Sequence, residues 1–148
     1  PTIAVAPLLL IYVGVGETAA LAFVSLIVFF PMVVNTVAGL RRASDREMDL
    51  LRSVSADGFV ASLSVRLPYA LPDVFSGLKQ AVALAVVGAI VAEWVVGSRG
   101  LGYLILVASE NVQLAVMISS LVVLEIVGLA LYAGVVAVQR SVPWLDEL

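Results

Sequence analysis

Long apolar runs lie on both sides of one polar segment, residues 41–79. A transmembrane helix needs roughly 20 mostly apolar residues, and such runs cover 19–40, 80–96 and 114–138. An earlier run, 3–15, is shorter, and it indicates either the end of a helix or a segment that enters the membrane only partway. The pattern predicts an all-α, polytopic transmembrane helix bundle.

Composition agrees with a membrane protein and excludes several kinds of chemistry. Of the 148 residues, 62% are hydrophobic and 13% are charged, whereas soluble domains have about 45–50% apolar and about 25% charged residues. The chain has neither cysteine nor histidine, which removes disulfides, thiolate chemistry and the commonest metal ligand and general base. It also lacks a P-loop motif for nucleotide phosphates. We therefore predict a non-enzyme, with no catalytic residues, no metal site and no cofactor of its own.

The basic residues predict the orientation of the chain. Six of the eight lie within 41–79, Arg140 follows the last apolar run on the same side, and only Arg99 falls on the other side. Because cytoplasmic loops carry an excess of lysine and arginine, we expect 41–79 and the C-terminus to face the cytoplasm.

The polar segment has the pattern of folded structure. Ser44 and Glu47 fit a capping box, in which each side chain satisfies a free N–H group at a helix start. A second short amphipathic run, 59–67, follows a bend, and Pro68 and Pro72 stiffen the return to the membrane. The pattern favours a compact knob of two short helices. The alternative is that its apolar stripes only lie on the membrane surface.

Three polar residues within the apolar runs are candidates for a translocation path, because ionisable or polar groups are costly in a membrane. Glu93 could line such a path, or it could hold the following loop by pairing with Arg99. Glu125 lies nearer the middle of its run, and it either lines the path or pairs with a polar group on another span. Asn35, near the end of its run, is the third candidate.

Small residues fall on one face of the second long run. They are Gly77, Ala81, Ala85, Ala89 and Ala92. Such faces let helix backbones approach closely in lipid, so this face predicts helix packing, either within the chain or between subunits.

The polar segment resembles the signature loop of ATP-binding-cassette (ABC) importer permeases, in which Glu-Ala-Ala precedes a glycine and a later I-x-L-P. Asp49-Leu50-Leu51 stands where Glu-Ala-Ala would be, Ser55 replaces the glycine, and Val65-Arg66-Leu67-Pro68 closes the motif. The flanks resemble the permeases of nitrate, sulfonate and taurine importers and their thiamine-precursor and riboflavin relatives. The phrases that carry this likeness are Ala6-Pro7-Leu8-Leu9, Phe29-Phe30-Pro31 with Asn35-Thr36, Leu71-Pro72 with Gly77-Leu78, Ala92-Glu93, Gly100-Leu101-Gly102-Tyr103-Leu104 and Pro143-Trp144.

The resemblance implies a type I ABC importer permease in a bacterial-type inner membrane, with about six helices per subunit. We expect this chain to be an N-terminally truncated piece, with 1–148 forming a single permease domain and 41–79 its cytoplasmic coupling loop. The implied partners are a cytoplasmic ATP-binding subunit, a second permease subunit and an extracytoplasmic solute-binding protein, and ATP would be bound by the partner. The residues expected to couple to the ATPase are Glu47, Asp49, Leu50, Leu51, Ser55, Ala56, Gly58, Leu67 and Pro68.

Two other functions compete with the importer. One is an ion-coupled carrier or channel, for which Glu125 is the main support, and the other is a degenerate, non-transporting membrane scaffold. The pattern does not identify the solute, although a small organic nutrient is favoured over an inorganic ion.

Single thiols test the orientation, because the natural chain has no cysteine. We expect a membrane-impermeant maleimide to label the Ser98→Cys variant in intact cells and the Ser53→Cys variant only after lysis. The reverse pattern would place the polar segment outside the cell.

Overall fold

The computed structural model describes residues 5–14, 16–42 and 59–142. Every regular element in these ranges is a helix, which confirms the all-α prediction. The helices are α1 (Ala6–Val13), α2 (Glu17–Leu40), α3 (Phe59–Val96), α4 (Leu101–Glu110) and α5 (Leu114–Arg140).

Three of these helices contain segments long and apolar enough to cross a membrane: Glu17–Leu40, Leu63–Val95 and Leu114–Arg140. The three predicted spans are therefore confirmed in type and order. The described residues of the polar segment differ from the prediction, because α3 runs without a break from Phe59 through Pro68 and Pro72. Each proline removes one backbone hydrogen bond from the helix, but neither ends it, so a short helix that stops before Pro68 was wrong.

A helix also occupies Leu101–Glu110, between the second and third predicted spans, where the sequence analysis named no helix. This helix is α4, and its buried residues Gly102, Ile105 and Ala108 lie three apart along one face.

Most of the predicted coupling residues lie outside the described residues, together with the capping box at Ser44. They are Glu47, Asp49, Leu50, Leu51, Ser55, Ala56 and Gly58.

The chain divides into two compact units, of which the first comprises Pro1–Phe30 and Ala81–Ala133. Its core pairs Phe23 of α2 with Ala92 of α3, both almost completely buried. Gly88 faces Ile27, and a methyl group on Gly88 would lie 3.2 Å from the Ile27 Cδ1 atom. Burial of an aromatic ring against small residues is the main apolar contact between α2 and α3 in this unit.

The second unit comprises Pro31–Gln80 and Gly134–Leu148, and in it α2 and α3 come still closer. A Cβ atom on Gly39 would lie 2.8 Å from both the Cα and the carbonyl oxygen of Ala70. A Cβ atom on Gly77 would lie 2.9 Å from the Cβ of Asn35. These glycines allow backbone-level contact, as expected for helices in lipid, and the predicted packing role of Gly77 is served within the chain.

The ends of α4 have little signature in the sequence. Its N-cap is Gly100, which has φ 116° and offers no side chain to cap the helix. At the other end, Gln113 N donates to Ala108 O at 2.8 Å and Val112 N donates to Ser109 O at 3.2 Å. This is the Schellman pattern, with the left-handed position held by Val112 at φ 57°, where glycine is usual.

Two helical glycines provide a matched test of the close approach of α2 and α3. Gly39→Ala must displace backbone atoms of α3, whereas nothing lies within 4 Å of a Cβ atom on Gly134. We expect Gly39→Ala to lower the free energy of unfolding in detergent by about 1–2 kcal/mol, since overpacking outweighs the gain in helix propensity. Gly134→Ala should be neutral or slightly stabilising. Equal effects of the two substitutions would contradict the packing.

Candidate functional site

A groove of about 920 Å³ lies within the first unit, between α2, α3 and α5 and beside the loop that leads into α4. Its walls are mainly apolar, with Leu21 and Val24 from α2, Val86 from α3, and Leu124, Val127 and Leu131 from α5. A concave, mostly apolar site with a few polar groups is the usual form of a small-molecule site. The groove is therefore the candidate passage in the described part of the chain.

Charged groups gather at one end of this groove. Glu17, in the first turn of α2, forms an ion pair with Arg99 from the loop after α3, and both residues line the groove. Their side chains are 72% and 80% exposed, so the pair itself adds little to stability. Its position nevertheless gives the groove a polar entrance carrying both signs of charge.

Glu93 forms the tighter polar contact at this end. Its Oε2 atom accepts a hydrogen bond of 2.6 Å from the backbone N–H of Gly102, the second residue of α4. The adjacent Trp94 donates from Nε1 to the carbonyl oxygen of Gly102 at 2.9 Å. We call these two hydrogen bonds the Glu93–Trp94 clasp, and they join the end of α3 to the start of α4.

The local sequence explains why the clasp forms. The first N–H groups of a helix have no partner within the helix and favour a negative charge, and Gly100 cannot supply a capping side chain. The Glu93 carboxylate does so from α3, and it needs the space that glycine leaves. A Cβ atom on Gly102 would lie 2.9 Å from Glu93 Oε2 and 3.0 Å from the Cα of Ile90.

These contacts bear on both predictions for Glu93, the path role and the loop-holding role. The prediction that Glu93 holds the following loop is supported, but the predicted partner was wrong, because Arg99 pairs with Glu17 instead. Glu93 also lines the groove, although one of its oxygens is engaged by Gly102. Sequence reasoning missed Gly102 as the partner of this carboxylate and Trp94 as a second partner of Gly102.

The other two path candidates lie elsewhere. Glu125 is exposed near the middle of α5 and is not among the residues that line the groove. Asn35 belongs to the second unit, where its Nδ2 atom donates to Pro31 O at 2.8 Å and lies 3.5 Å from Gln80 Oε1. The structure therefore does not gather the three residues into one described site.

A second polar contact lies in the second unit, and the sequence analysis did not predict it either. Arg42 Nε, two residues beyond the end of α2, is 2.7 Å from Asp73 Oδ2 of α3, with side chains 61% and 15% exposed. The sequence offered a signal, since Asp73 is an acidic residue about two helical turns before the predicted span 80–96. Of the predicted coupling residues, Leu67 and Pro68 are described, and they precede Asp73 in α3, with Leu67 48% exposed.

These helices and polar contacts define a multi-pass membrane protein with a candidate passage, and its described residues include no cluster of acidic side chains that could hold a metal ion. The chain belongs to the family of binding-protein-dependent transport system inner membrane components, whose family model matches residues 1–146. The resemblance read from the sequence is thereby confirmed, and this family describes a transport subunit rather than an enzyme. It also places the chain in the inner membrane.

Several curated proteins are similar to this chain. A probable ABC transporter permease protein of Haemophilus influenzae is 38% identical over 135 residues, which are 91% of this chain and 55% of that protein. The riboflavin transport system permease protein RibX of Chloroflexus aurantiacus is 34% identical, over 89% of this chain and 49% of its own length. The taurine transport system permease protein TauC of Escherichia coli is 29% identical, over 100% of this chain and 54% of its own.

The chain thus spans about half the length of the curated relatives it matches. No solved structure matches it significantly.

The clasp predicts how substitution of Glu93 affects stability. Glu93→Ala leaves the Gly102 N–H without its acceptor and should lower the free energy of unfolding by about 1–3 kcal/mol. Glu93→Gln keeps an acceptor oxygen and should cost less. We also expect amide hydrogen exchange to rise at Gly102 in the alanine variant.

The matched control is Glu110→Ala, at the exposed last residue of α4, where loss of a negative charge is harmless or favourable. If Glu93→Ala unfolded like the wild type but changed solute selectivity, the structural role of Glu93 would be wrong and the path role right.

Proposed function

We propose that this chain is part of the transmembrane permease subunit of an ABC importer, and that it forms the solute path and couples to a separate ATPase through residues 44–68. The observation that carries the proposal is the unbroken helix α3, Phe59–Val96, in a chain that belongs to this family. At 1.5 Å per residue the helix is about 57 Å long, and the hydrocarbon core is only about 30 Å thick. One end of α3 must therefore project from the membrane.

The projecting end is the one that carries the predicted ATPase contacts. Leu67 and Pro68 lie 26 and 25 residues before Glu93 in the same helix, α3. In the mechanism, binding of ATP by the partner subunits moves the coupling segment and shifts the permease between states open to opposite sides. This chain contributes the coupling segment, residues 44–68, and the solute path, and its partner binds the nucleotide.

The composition of the assembly follows from the same proposal. A binding-protein-dependent system supplies its solute from an extracytoplasmic binding protein and its energy from a cytoplasmic ATP-binding subunit. The permease would work as a pair, most simply a homodimer. The concentration of basic residues in 41–79 supports a cytoplasmic position for the coupling segment and for the C-terminus.

Glu125 supports a path that involves α5. A carboxylate exposed in the middle of a membrane helix is costly against lipid, and such residues usually face a water-filled cavity or a polar partner. The exposed position of Glu125 therefore favours a path between subunits on that face of α5, in addition to the groove of the first unit. Asn35 contributes to packing more than to the path, because its amide is directed to Pro31 and Gln80.

The solute belongs to a small set of nutrients. Similar proteins are named for the transport of taurine and of riboflavin. We propose a small organic nutrient of the sulfonate, taurine, pyrimidine or riboflavin type, or nitrate. A mixed-charge entrance formed by Glu17 and Arg99 accommodates any of these without selecting among them.

The proposal is tested by co-purification with the ATP-binding subunit. A variant with Asp49→Arg, Leu51→Arg and Ser55→Arg should lose at least tenfold of the co-purified ATPase subunit and lose import in proportion. Glu110→Arg, exposed at the end of α4, is the control for added positive charge and should retain the partner.

Unchanged binding in the triple variant would refute the coupling segment. Solute uptake by the permease in vesicles without any ATPase would favour the ion-coupled carrier, and no uptake with all partners present would favour the scaffold.

A further inference from the structure

An ion pair joins a residue that precedes the segment 43–58 to a residue of α3, the helix that follows this segment. Arg42 is the last described residue before the gap at 43–58, and its Nε atom lies 2.7 Å from Oδ2 of Asp73 in α3. The contact is reinforced by packing, since Gly39 lies against the backbone of Ala70 and a Cβ atom on it would be 2.9 Å from the Cβ of Asp73. We call this contact the Arg42–Asp73 latch.

The burial of the two side chains shows which partner depends on the other. Asp73 retains only 15% of its side-chain exposure, whereas Arg42 retains 61%. A carboxylate with so little access to water needs a cation beside it. Arg42 can be hydrated without Asp73, and so the latch fixes the position of the α2 terminus against α3.

The place of the latch suggests what it does. Leu67 and Pro68, the described coupling residues, lie six and five residues before Asp73, or roughly 8–9 Å along the helix. The segment 43–58 follows Arg42 and leads into α3 at Phe59, and the latch joins Arg42 to the same helix at Asp73, fourteen residues after Phe59. Without it, a push on the segment could be absorbed by movement of the α2 terminus alone.

We propose that Arg42 and Asp73 are positioning residues for transport, which make the two attachments of the coupling segment move together so that its displacement reaches α3. The inference rests on the proposed function, since it needs an ATPase that acts on this segment. It predicts that loss of the latch uncouples ATP hydrolysis from import, while folding and ATPase binding persist.

The test uses the whole permease assembled with its ATP-binding subunit and binding protein in proteoliposomes. The variants are Arg42→Gln and Asp73→Asn, with the charge exchange Arg42→Asp plus Asp73→Arg, and the control is Arg41→Gln at the exposed neighbouring residue. For each variant, the measurements are the amount of ATPase subunit bound, the melting temperature, and the number of solute molecules imported per ATP hydrolysed.

We expect both single variants to bind the ATPase within twofold of wild type and to import at least fivefold less solute per ATP. The Arg41→Gln control should match the wild type, and the charge exchange should recover more than half of the lost ratio. If Arg42→Gln fails to fold because it leaves the Asp73 carboxylate unpaired, Asp73→Asn carries the test, since the largely exposed Arg42 side chain can be hydrated without a partner.

The outcomes separate the latch from the proposed function. A wild-type import ratio in Arg42→Gln, or an equal loss in Arg41→Gln, would overturn the latch and leave the importer intact. The latch would also be overturned if the number of solute molecules imported per ATP fell only in proportion to the melting temperature and did not recover in the charge-exchange variant. Failure of the wild-type permease to bind any ATPase would instead refute the proposed function.

Discussion

Polar groups within a membrane must find partners inside the protein, and this constraint shapes each polar contact described in the chain. Water is absent from the hydrocarbon core, so an unpaired N–H group or carboxylate there costs on the order of several kcal/mol. Glu93 and the free N–H of Gly102 satisfy each other, and Trp94 satisfies the carbonyl of the same residue. Asp73 lies beside Arg42 as an ion pair with an N–O distance of 2.7 Å, although its Oδ2 atom accepts no hydrogen bond from the described residues. Glu125 forms no such hydrogen bond or ion pair with the described residues, which is why its surroundings in an assembly matter most.

Close helix packing makes these pairings possible. In lipid, apolar side chains gain little by associating, so helices are held by backbone-level contact and interhelical hydrogen bonds. Gly39 against Ala70 brings the α2 terminus close enough for Arg42 to reach Asp73. Gly102 against Ile90 likewise brings α4 close enough for the Glu93 carboxylate. A glycine and a contact to a carboxylate therefore act as one structural feature at each place, and α3 contributes to both.

The sequence predicted the membrane helices well and their interruptions poorly. Long apolar runs are a strong signal, and the helices at Glu17–Leu40 and Leu114–Arg140 end within two residues of the predicted spans. Pro68 and Pro72 were interpreted as the end of a helix, but a long helix tolerates the loss of single hydrogen bonds when its neighbours hold it. Helix α4 was missed because Gly100 supplies no capping side chain and Val112, not glycine, takes the left-handed position after it. The coupling residues between 43 and 58 remain predictions.

The sequence by itself determined the membrane class, the order of the long helices and the resemblance to importer permeases. Local features suffice for these conclusions, because hydropathy, the distribution of arginines and short motifs all act along the chain. Only the tertiary structure decided the partners: Glu93 with Gly102 rather than Arg99, Arg99 with Glu17, and Arg42 with Asp73. Each pair depends on how closely two helix backbones approach and which side chain reaches across the gap. Composition and periodicity along one chain do not specify that distance.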